Sequence, residues 1–161
     1  FETGAGGSAP KHVQQLVEEG HLRWDSLGEF CALGESLNFV AESNGNSKAG
    51  VLGKAVDAAT QLLLANDKSP SRRVGQTDTR DSHYYFAFYW AQALAVQTED
   101  QDLANYFAEL AVALADNEKT ITAELASTQG KPCDLGGYYH PASDKVALVM
   151  RPSATLNSII G

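Results

Sequence analysis

The stretch from residue 99 to residue 126, EDQDLANYFAELAVALADNEKTITAELA, decides the fold class. Its large apolar residues recur mostly at helical spacing. They are Leu103, Phe107, Leu110, Leu114, Ile121 and Leu125. That spacing places them on one side of an α-helix, whereas a half-buried strand would alternate apolar and polar residues. Gly130 and Pro132 follow, and both residues favour the end of a helix. The pattern predicts one long amphipathic helix with a single buried face.

Earlier segments of the chain repeat this helical spacing. They predict helices over residues 9–19, 24–41 and 51–66. The polar turn Asn44-Gly45-Asn46 separates the last two of these segments. Residues 82–97 are so aromatic that spacing alone does not decide between helix and strand, but their alanines favour a buried helix.

The tail beyond residue 132 has a different character. The run from Gly136 to Pro141 predicts a loop, and Ser143 can cap a short helix that ends near Met150, before Pro152. No linker or low-complexity tract divides the chain. The predicted fold class is therefore mainly α: a single compact helical domain over residues 1–161, with a glycine-rich N-terminal loop and an irregular C-terminal tail.

The composition argues against several classes of function. Twelve basic and twenty acidic residues among 161 give a net charge of −8, and the basic residues form no run. A nucleic acid or an anionic membrane surface is therefore an unfavourable partner. No apolar stretch is long enough to cross a bilayer, so we expect a soluble chain. Cys31 and Cys133 lack metal-ligand spacing and predict free thiols, although a disulfide between them stays open.

A glycine-rich run, Gly4-Ala5-Gly6-Gly7-Ser8, precedes the first predicted helix. Glycines let backbone N–H groups approach an anion closely, and the N-terminus of a helix offers unpaired donors and the positive end of its dipole. Ser8 can cap that helix, with Ala9 and Pro10 in its first turn. These residues suit a phosphate site. A plain flexible loop before a capped helix fits them equally well.

Several short motifs are spread over the whole chain. They are FETGAGGSAPKHVQQ at residues 1–15, KSPSRRVG at 68–75, SHYY at 82–85, GGYYHP at 136–141 and RPSAT at 151–155. In this order and at this spacing they resemble the C-terminal portion of the monomeric type of NADP-dependent isocitrate dehydrogenase. The resemblance covers essentially the whole chain. Members of that family are several times longer.

The resemblance implies that the chain holds part of an NADP site. The implied cofactor-binding residues are Gly6, Gly7, Ser8, Lys11, His12, Arg23, Asp25 and Arg72. Arg23 and Arg72 would bind the adenosine 2′-phosphate, since the forked guanidinium group of arginine suits phosphate oxygens. His12 would lie at the same end of the cofactor. The residues alone also fit a second interpretation of Arg23, as a solvated or salt-bridged arginine near Asp25 and Glu19.

The resemblance also implies what this portion lacks. The family's isocitrate-binding, acid-base and metal-ligating residues have no counterpart here, so we assign no catalytic and no metal-binding residue and expect no turnover by the chain alone. Magnesium or manganese would enter only with a complementary chain. A cytoplasmic location follows from the resemblance. The phenylalanine in first position leaves import into a plastid open.

Two groups of residues have the types found in catalytic sites. Ser82 and His83 stand close to Asp78 and Asp81, the residue types of a hydrolase triad. Residues so close in sequence rarely align as nucleophile, base and orienting acid, so we reject a triad. The run Tyr138-Tyr139-His140 is interpreted as an aromatic anchor packed over the helices.

Two hypotheses of function follow. In the first, which we prefer at this point, the chain is a non-catalytic structural or interaction subunit of a larger assembly. The aromatic run from Tyr84 to Trp90 favours it, because one helix face cannot bury so many rings and another polypeptide would cover the rest. In the second, the chain is a fragment or a split half of an active NADP-dependent isocitrate dehydrogenase.

One departure from the family pattern bears on the cofactor. Where the family usually has Asp-Asn-Arg-Gly, this chain has Asp78-Thr79-Arg80-Asp81. The change removes a flexible residue and adds a carboxylate close to a segment that would meet phosphate. We therefore expect a weakened or lost affinity for NADP.

Overall fold

The computed structural model describes residues 5–161, with side chains from residue 9 onward. Over this range the chain forms eight α-helices and no strand. The helices are α1 (Ala5–Glu19), α2 (Leu27–Asn44), α3 (Ser47–Ala65), α4 (Thr79–Val96), α5 (Gln101–Asp116), α6 (Glu118–Ala126), α7 (Ser143–Met150) and α8 (Ala154–Ile160). Helices α2 to α5 pack in chain order, each on the next, and α8 lies against α5 and α6. The mainly α, single-domain fold class is confirmed.

Helix α4 forms the centre of the core. Its rings pack on several neighbours: Phe86 stacks on Phe30 of α2 with 3.9 Å between ring centroids, and the Tyr84 hydroxyl donates to the Leu114 carbonyl of α5. Five of its aromatic residues are buried and Trp90 is half-buried. The expectation that part of this run is left for another polypeptide is wrong, because α4 is covered on more than one face.

The turn between α2 and α3 follows the sequence prediction. Gly45 ends α2 with a φ of 63°, a backbone conformation that glycine adopts without strain. Asn46 then caps α3, since its side-chain oxygen accepts a hydrogen bond of 3.2 Å from the Ala49 N–H.

The long helix predicted over residues 99–126 is two helices. The break is at Asn117, between α5 and α6. The Asn117 side chain donates to the Ala113 carbonyl at 2.9 Å, so it competes for a backbone acceptor at the end of α5. The apolar face continues across the break, with Leu114 before it and Ile121 and Leu125 after it buried in one core.

Helix α1 begins earlier than the sequence predicts. The glycine-rich run was expected to be a loop, yet Ala5 to Ser8 are the first residues of α1; Gly4 and the Ser8 side chain lie outside what the structure describes. Pro10 therefore sits inside the helix rather than in its first turn. A proline there removes one backbone hydrogen bond, because it has no N–H, although the φ that its ring imposes is compatible with a helix.

The tail is partly regular. Helix α7 ends at Met150 as predicted, but Ser143 is its first residue and not its cap; Ala142 stands at the N-cap and makes no side-chain cap. Helix α8, which the sequence did not predict, starts where the Ser153 side chain accepts a hydrogen bond from the Leu156 N–H. Tyr138 and Tyr139 are exposed, so the interpretation of this run as an aromatic anchor is wrong. The contact with α1 is made earlier in the tail, where the Cys133 N–H donates to the Val17 carbonyl. Cys31 and Cys133 are free thiols. Within residues 5–161, no helix has the length and apolar character of a membrane span.

Candidate functional site: an arginine loop beside the first helix

Segments that are distant in sequence meet at the C-terminal end of α1. The Gly130 N–H donates to the Glu19 carbonyl at 2.7 Å, which joins the turn after α6 to α1. The Thr79 N–H donates to the Leu22 carbonyl at 2.7 Å, and the Thr79 hydroxyl donates to the Trp24 carbonyl at 2.7 Å. The N-terminus of α4 is thereby fixed to the connection between α1 and α2, which carries two of the predicted site residues.

A buried arginine holds this junction together. Arg80 is 5% exposed and makes an ion pair with the buried Asp78 carboxylate. Its guanidinium also donates to the Gly20 carbonyl at 2.7 Å, the Thr128 hydroxyl at 2.7 Å and the Val149 carbonyl at 2.8 Å. Arginine offers five N–H donors in a rigid fork, so one side chain satisfies partners from four separate segments.

The carboxylate that departs from the family pattern belongs to this buried junction. Asp78 and Asp81 form a capping box: the Asp78 side chain accepts from the Arg80 N–H, and the Asp81 side chain accepts from the Asp78 N–H at 3.0 Å. Burial raises the pKa of Asp81 from its ordinary value of 3.8 to about 6. The departure is thus part of a helix cap. Its expected effect on cofactor affinity stays a prediction.

The raised pKa of Asp81 predicts a pH-dependent gain in stability for Asp81→Asn. A carboxyl with a higher pKa in the folded chain binds more protons when folded, so its cost to stability grows between about pH 4 and pH 6 and is complete above. Asparagine keeps an acceptor for the Asp78 N–H without the charge. We expect the free energy of unfolding at pH 7.5 to rise by up to about 3 kcal/mol, and the gain to vanish near pH 4.

Urea unfolding of both chains at pH 4.0 and pH 7.5 measures this difference. Asp102→Asn is the matched control, since Asp102 also lies in the first turn of a helix but is exposed. An equal gain at both pH values, or a loss at pH 7.5, would contradict the prediction.

The segment from Ser71 to Thr77, here called the arginine loop, carries Arg72. The Ser71 N–H donates to the Thr77 carbonyl at 2.8 Å and closes the loop, while Gly75 turns it with a φ of 82°. The amide of Gln129 fixes its far end: the oxygen accepts from the Gly75 N–H at 2.7 Å and the nitrogen donates to the Gln76 carbonyl at 3.0 Å.

Two further contacts attach the arginine loop to the α1 side of the fold. The Gln15 side chain donates to the Arg72 carbonyl at 3.3 Å. The imidazole of His21, fully buried just after α1, lies with Nε2 at 2.7 Å from the Ser71 carbonyl and Nδ1 at 3.0 Å from the Gln129 oxygen. The backbone of Arg72 is therefore fixed, although its side chain is exposed.

The structure brings several predicted site residues to one region around α1. His12 packs edge-on against Trp24, with 5.2 Å between ring centroids, and Trp24 stands between Arg23 and Asp25 in the chain. Gln15, one turn after His12, contacts the arginine loop. One helix thus borders both arginine-bearing segments, which the spacing in sequence could not show.

The predicted arginines are available for an anion. Within the described range, neither Arg23 nor Arg72 has an ion pair or a side-chain hydrogen bond, which argues against a salt bridge from Arg23 to Asp25 or Glu19. Asp25 instead accepts a hydrogen bond of 3.1 Å from the Leu27 N–H and so supports the start of α2.

The remaining predicted residues all belong to α1. Lys11 is exposed, and Gly6, Gly7 and Ser8 lie in the first turns of the helix, with the Ser8 side chain outside the described part. The first four N–H groups of a helix lack partners within it, so the helical conformation of this run still leaves backbone donors for an anion.

The residue types of a hydrolase triad do not form one. His83 Nδ1 lies 2.8 Å from the Thr79 carbonyl of its own helix. The Ser82 hydroxyl is buried and has no hydrogen-bond partner in the described structure. Asp78 pairs with Arg80. Among the residues that the structure describes, no carboxylate is hydrogen-bonded to His83, so none orients it toward a nucleophile.

One cleft beside the arginine loop is unsuited to phosphate. This polar cleft of about 540 Å³ is lined by residues of the loop and of helices α4 and α6, and Asp67 and Asp81 contribute to its lining. Ionised carboxylates there would repel an anion. A phosphate is therefore better placed near α1, where the Gln15 side chain contacts the Arg72 backbone and His12 packs on Trp24.

Comparison with known proteins gives one consistent result. A family model of monomeric isocitrate dehydrogenase matches residues 1–161. The chain is 59% identical to isocitrate dehydrogenase (NADP) 2 of Mycobacterium tuberculosis and 58% identical to isocitrate dehydrogenase (NADP) of Azotobacter vinelandii, over 160 residues in both cases. Each match covers 99% of this chain but 22% of the relative. The matched part is a C-terminal portion of those proteins.

Proposed function

Because the chain belongs to the monomeric isocitrate dehydrogenase family, we propose that it is the C-terminal segment of an NADP-dependent isocitrate dehydrogenase and supplies the part of the cofactor site that recognises the adenosine 2′-phosphate. The observation that carries this proposal is the attachment of the arginine loop to α1, with the Arg72 guanidinium left unpaired in the described structure. A fixed backbone and an unpaired guanidinium suit a loop that recognises phosphate.

Each residue has a distinct part in this proposal. Arg72 and Arg23 neutralise the dianionic 2′-phosphate and donate hydrogen bonds to its oxygens. His12, held edge-on by Trp24, contacts the adenine end of the nucleotide. The backbone donors of Gly6 and Gly7, with Ser8 and Lys11 beside them, bind the remaining phosphates. NADP accepts a hydride when bound, and the groups of this chain bind and orient it.

The rest of the catalytic machinery would come from the other segments of the enzyme. The relatives are several times longer than this chain, and the isocitrate and metal groups are proposed to lie in the part that it does not span. The alternative of a structural or interaction subunit is less well supported, because the aromatic run that favoured it is buried within this chain. The relatives named above are bacterial proteins and lend no support to plastid import.

Equilibrium binding of matched nucleotides tests the proposal. We expect the chain to bind 2′,5′-ADP and NADP weakly but better than 5′-ADP and NAD, because only the former carry the 2′-phosphate. Arg72→Ala and Arg23→Ala should each reduce the affinity for 2′,5′-ADP by about 10-fold or more, as a hydrogen bond to a charged group contributes about 1.5–3 kcal/mol. Isothermal titration calorimetry measures both effects.

Arg73→Ala is the matched control. Arg73 is also an exposed arginine of the arginine loop, and within the described range it too is outside any ion pair. It should leave the preference for 2′,5′-ADP nearly unchanged. Equal affinity of the unaltered chain for NADP and NAD would refute the proposed function.

A further inference from the structure

We propose that His21 is a positioning residue, which holds Arg72 in place to bind the 2′-phosphate. Its doubly protonated imidazole joins the arginine loop to Gln129 and thereby fixes the position of the Arg72 backbone. This inference rests on the proposed function. His21 does not reach the exposed face of the loop, since it is fully buried behind it. It acts through the backbone of Ser71, the residue before Arg72.

The hydrogen-bond partners determine the protonation of His21. On one side, Nε2 lies 2.7 Å from the Ser71 carbonyl oxygen, which can only accept. On the other, Nδ1 lies 3.0 Å from the side-chain oxygen of Gln129. Both ring nitrogens must carry a proton for both hydrogen bonds to form, and the ring is then a cation.

The orientation of the Gln129 amide is fixed independently of His21. Its oxygen accepts from the Gly75 N–H at 2.7 Å, and its nitrogen donates to the Gln76 carbonyl at 3.0 Å. Exchanging the two atoms would place a donor against the Gly75 N–H and an acceptor against the Gln76 carbonyl. The oxygen therefore faces His21.

The arrangement is a clamp at both ends of the arginine loop. His21 holds Ser71 at its start, and Gln129 holds Gly75 and Gln76 near its end. A neutral imidazole could donate to only one of its two partners. The loop would then lose either its hydrogen bond to the core or the link between the clamp residues, and Arg72 would be less well positioned.

Nitrogen-15 NMR of the histidine ring tests the protonation of the clamp without any ligand. In the folded chain at pH 6.5 we expect both His21 nitrogens to be protonated, with two slowly exchanging N–H signals. A single protonated nitrogen would overturn the clamp as described. Assignment by comparison with a His21→Gln sample separates this ring from the other three histidines.

Nucleotide binding tests the positioning role. His21→Gln and Gln129→Ala should each lower the ratio of affinities for 2′,5′-ADP and 5′-ADP about 5- to 10-fold, while the affinity for 5′-ADP changes little. Gln129 is half-buried at a turn, so its variant should remain folded even where the substitution of a buried histidine does not. Ser127→Ala is the control: Ser127 lies on the same turn but donates to the Glu124 carbonyl instead of the loop.

The outcomes separate this inference from the function on which it rests. If the unaltered chain fails to prefer 2′,5′-ADP, the proposed function fails and the positioning role fails with it. If the unaltered chain prefers 2′,5′-ADP and the Gln129→Ala chain keeps the same ratio, the positioning role alone is refuted. A fall in affinity for both nucleotides by the same factor would also refute it, because a merely structural effect does not discriminate between them.

Discussion

Replacing Arg80 by alanine is expected to lower the free energy of unfolding by about 3–5 kcal/mol. The substitution removes one partner of a buried ion pair and leaves the Asp78 carboxylate without its counter-charge. It also leaves the carbonyls of Gly20 and Val149 without this donor in the interior. Unpaired polar groups in a protein interior are costly, and the whole stability of a domain is only about 5–15 kcal/mol.

Two further variants define what Arg80 contributes. Arg80→Lys keeps the positive charge but has three donors on one atom, which cannot reach carbonyls from separate segments, so it should recover only part of the loss. Arg73→Ala removes an exposed arginine and should change stability by less than about 0.5 kcal/mol. Urea unfolding followed by circular dichroism measures all three. A loss below about 1 kcal/mol for Arg80→Ala would show that the junction does not depend on it.

The second large effect is expected at Gly20, where alanine should reduce the free energy of unfolding by about 2–6 kcal/mol. Gly20 has a φ of 61°, which strains any residue with a side chain by about 1–3 kcal/mol. A Cβ atom there would lie 2.2 Å from the Thr128 carbonyl oxygen and 2.8 Å from the Lys131 carbonyl oxygen. Backbone atoms must move apart to admit it, which adds a cost of overpacking of about 1–3 kcal/mol.

Gly45→Ala separates the two contributions at Gly20. Gly45 has nearly the same φ, 63°, but an added Cβ would meet nothing within 4 Å. It should therefore show the backbone strain alone. If the two variants lost the same stability in thermal unfolding, the close approach of Gly20 to the turn after α6 would carry no cost and the prediction would fail.

Periodicity predicted the helices because their buried faces are built from local repeats. Leu114 and Leu125 obey one continuous pattern, so the sequence indicated a helix at both positions. The break at Asn117 was missed because it depends on one side chain that competes with the backbone, and Asn also occurs within helices. The burial of the rings on α4 could not be read from the sequence either, since it depends on how many neighbours enclose that helix.

Only part of the candidate site could be predicted from the sequence. The resemblance singled out Arg23 and Arg72, but their relation to α1 depends on contacts such as that of Gln15 with the Arg72 carbonyl, 57 positions away. The pairing of His21 with Gln129 had no local signal in the sequence, because the two residues are 108 positions apart. An isolated histidine followed by a leucine could equally have been a surface residue.

The contacts of Arg80 bear on the order in which the chain folds. Helices α2 to α5 pack on their neighbours in sequence, so the contacts beside their connections close comparatively short loops at a low entropic cost. The hydrogen bonds from Arg80 to Gly20, Thr128 and Val149 instead join residues 60, 48 and 69 positions apart. Contacts of such long range carry a larger loop-closure entropy and are slow to form. We therefore expect helices α2 to α5 to pack first. The contacts of Arg80 that hold the face with the arginine loop would then form last, against helices that are already packed.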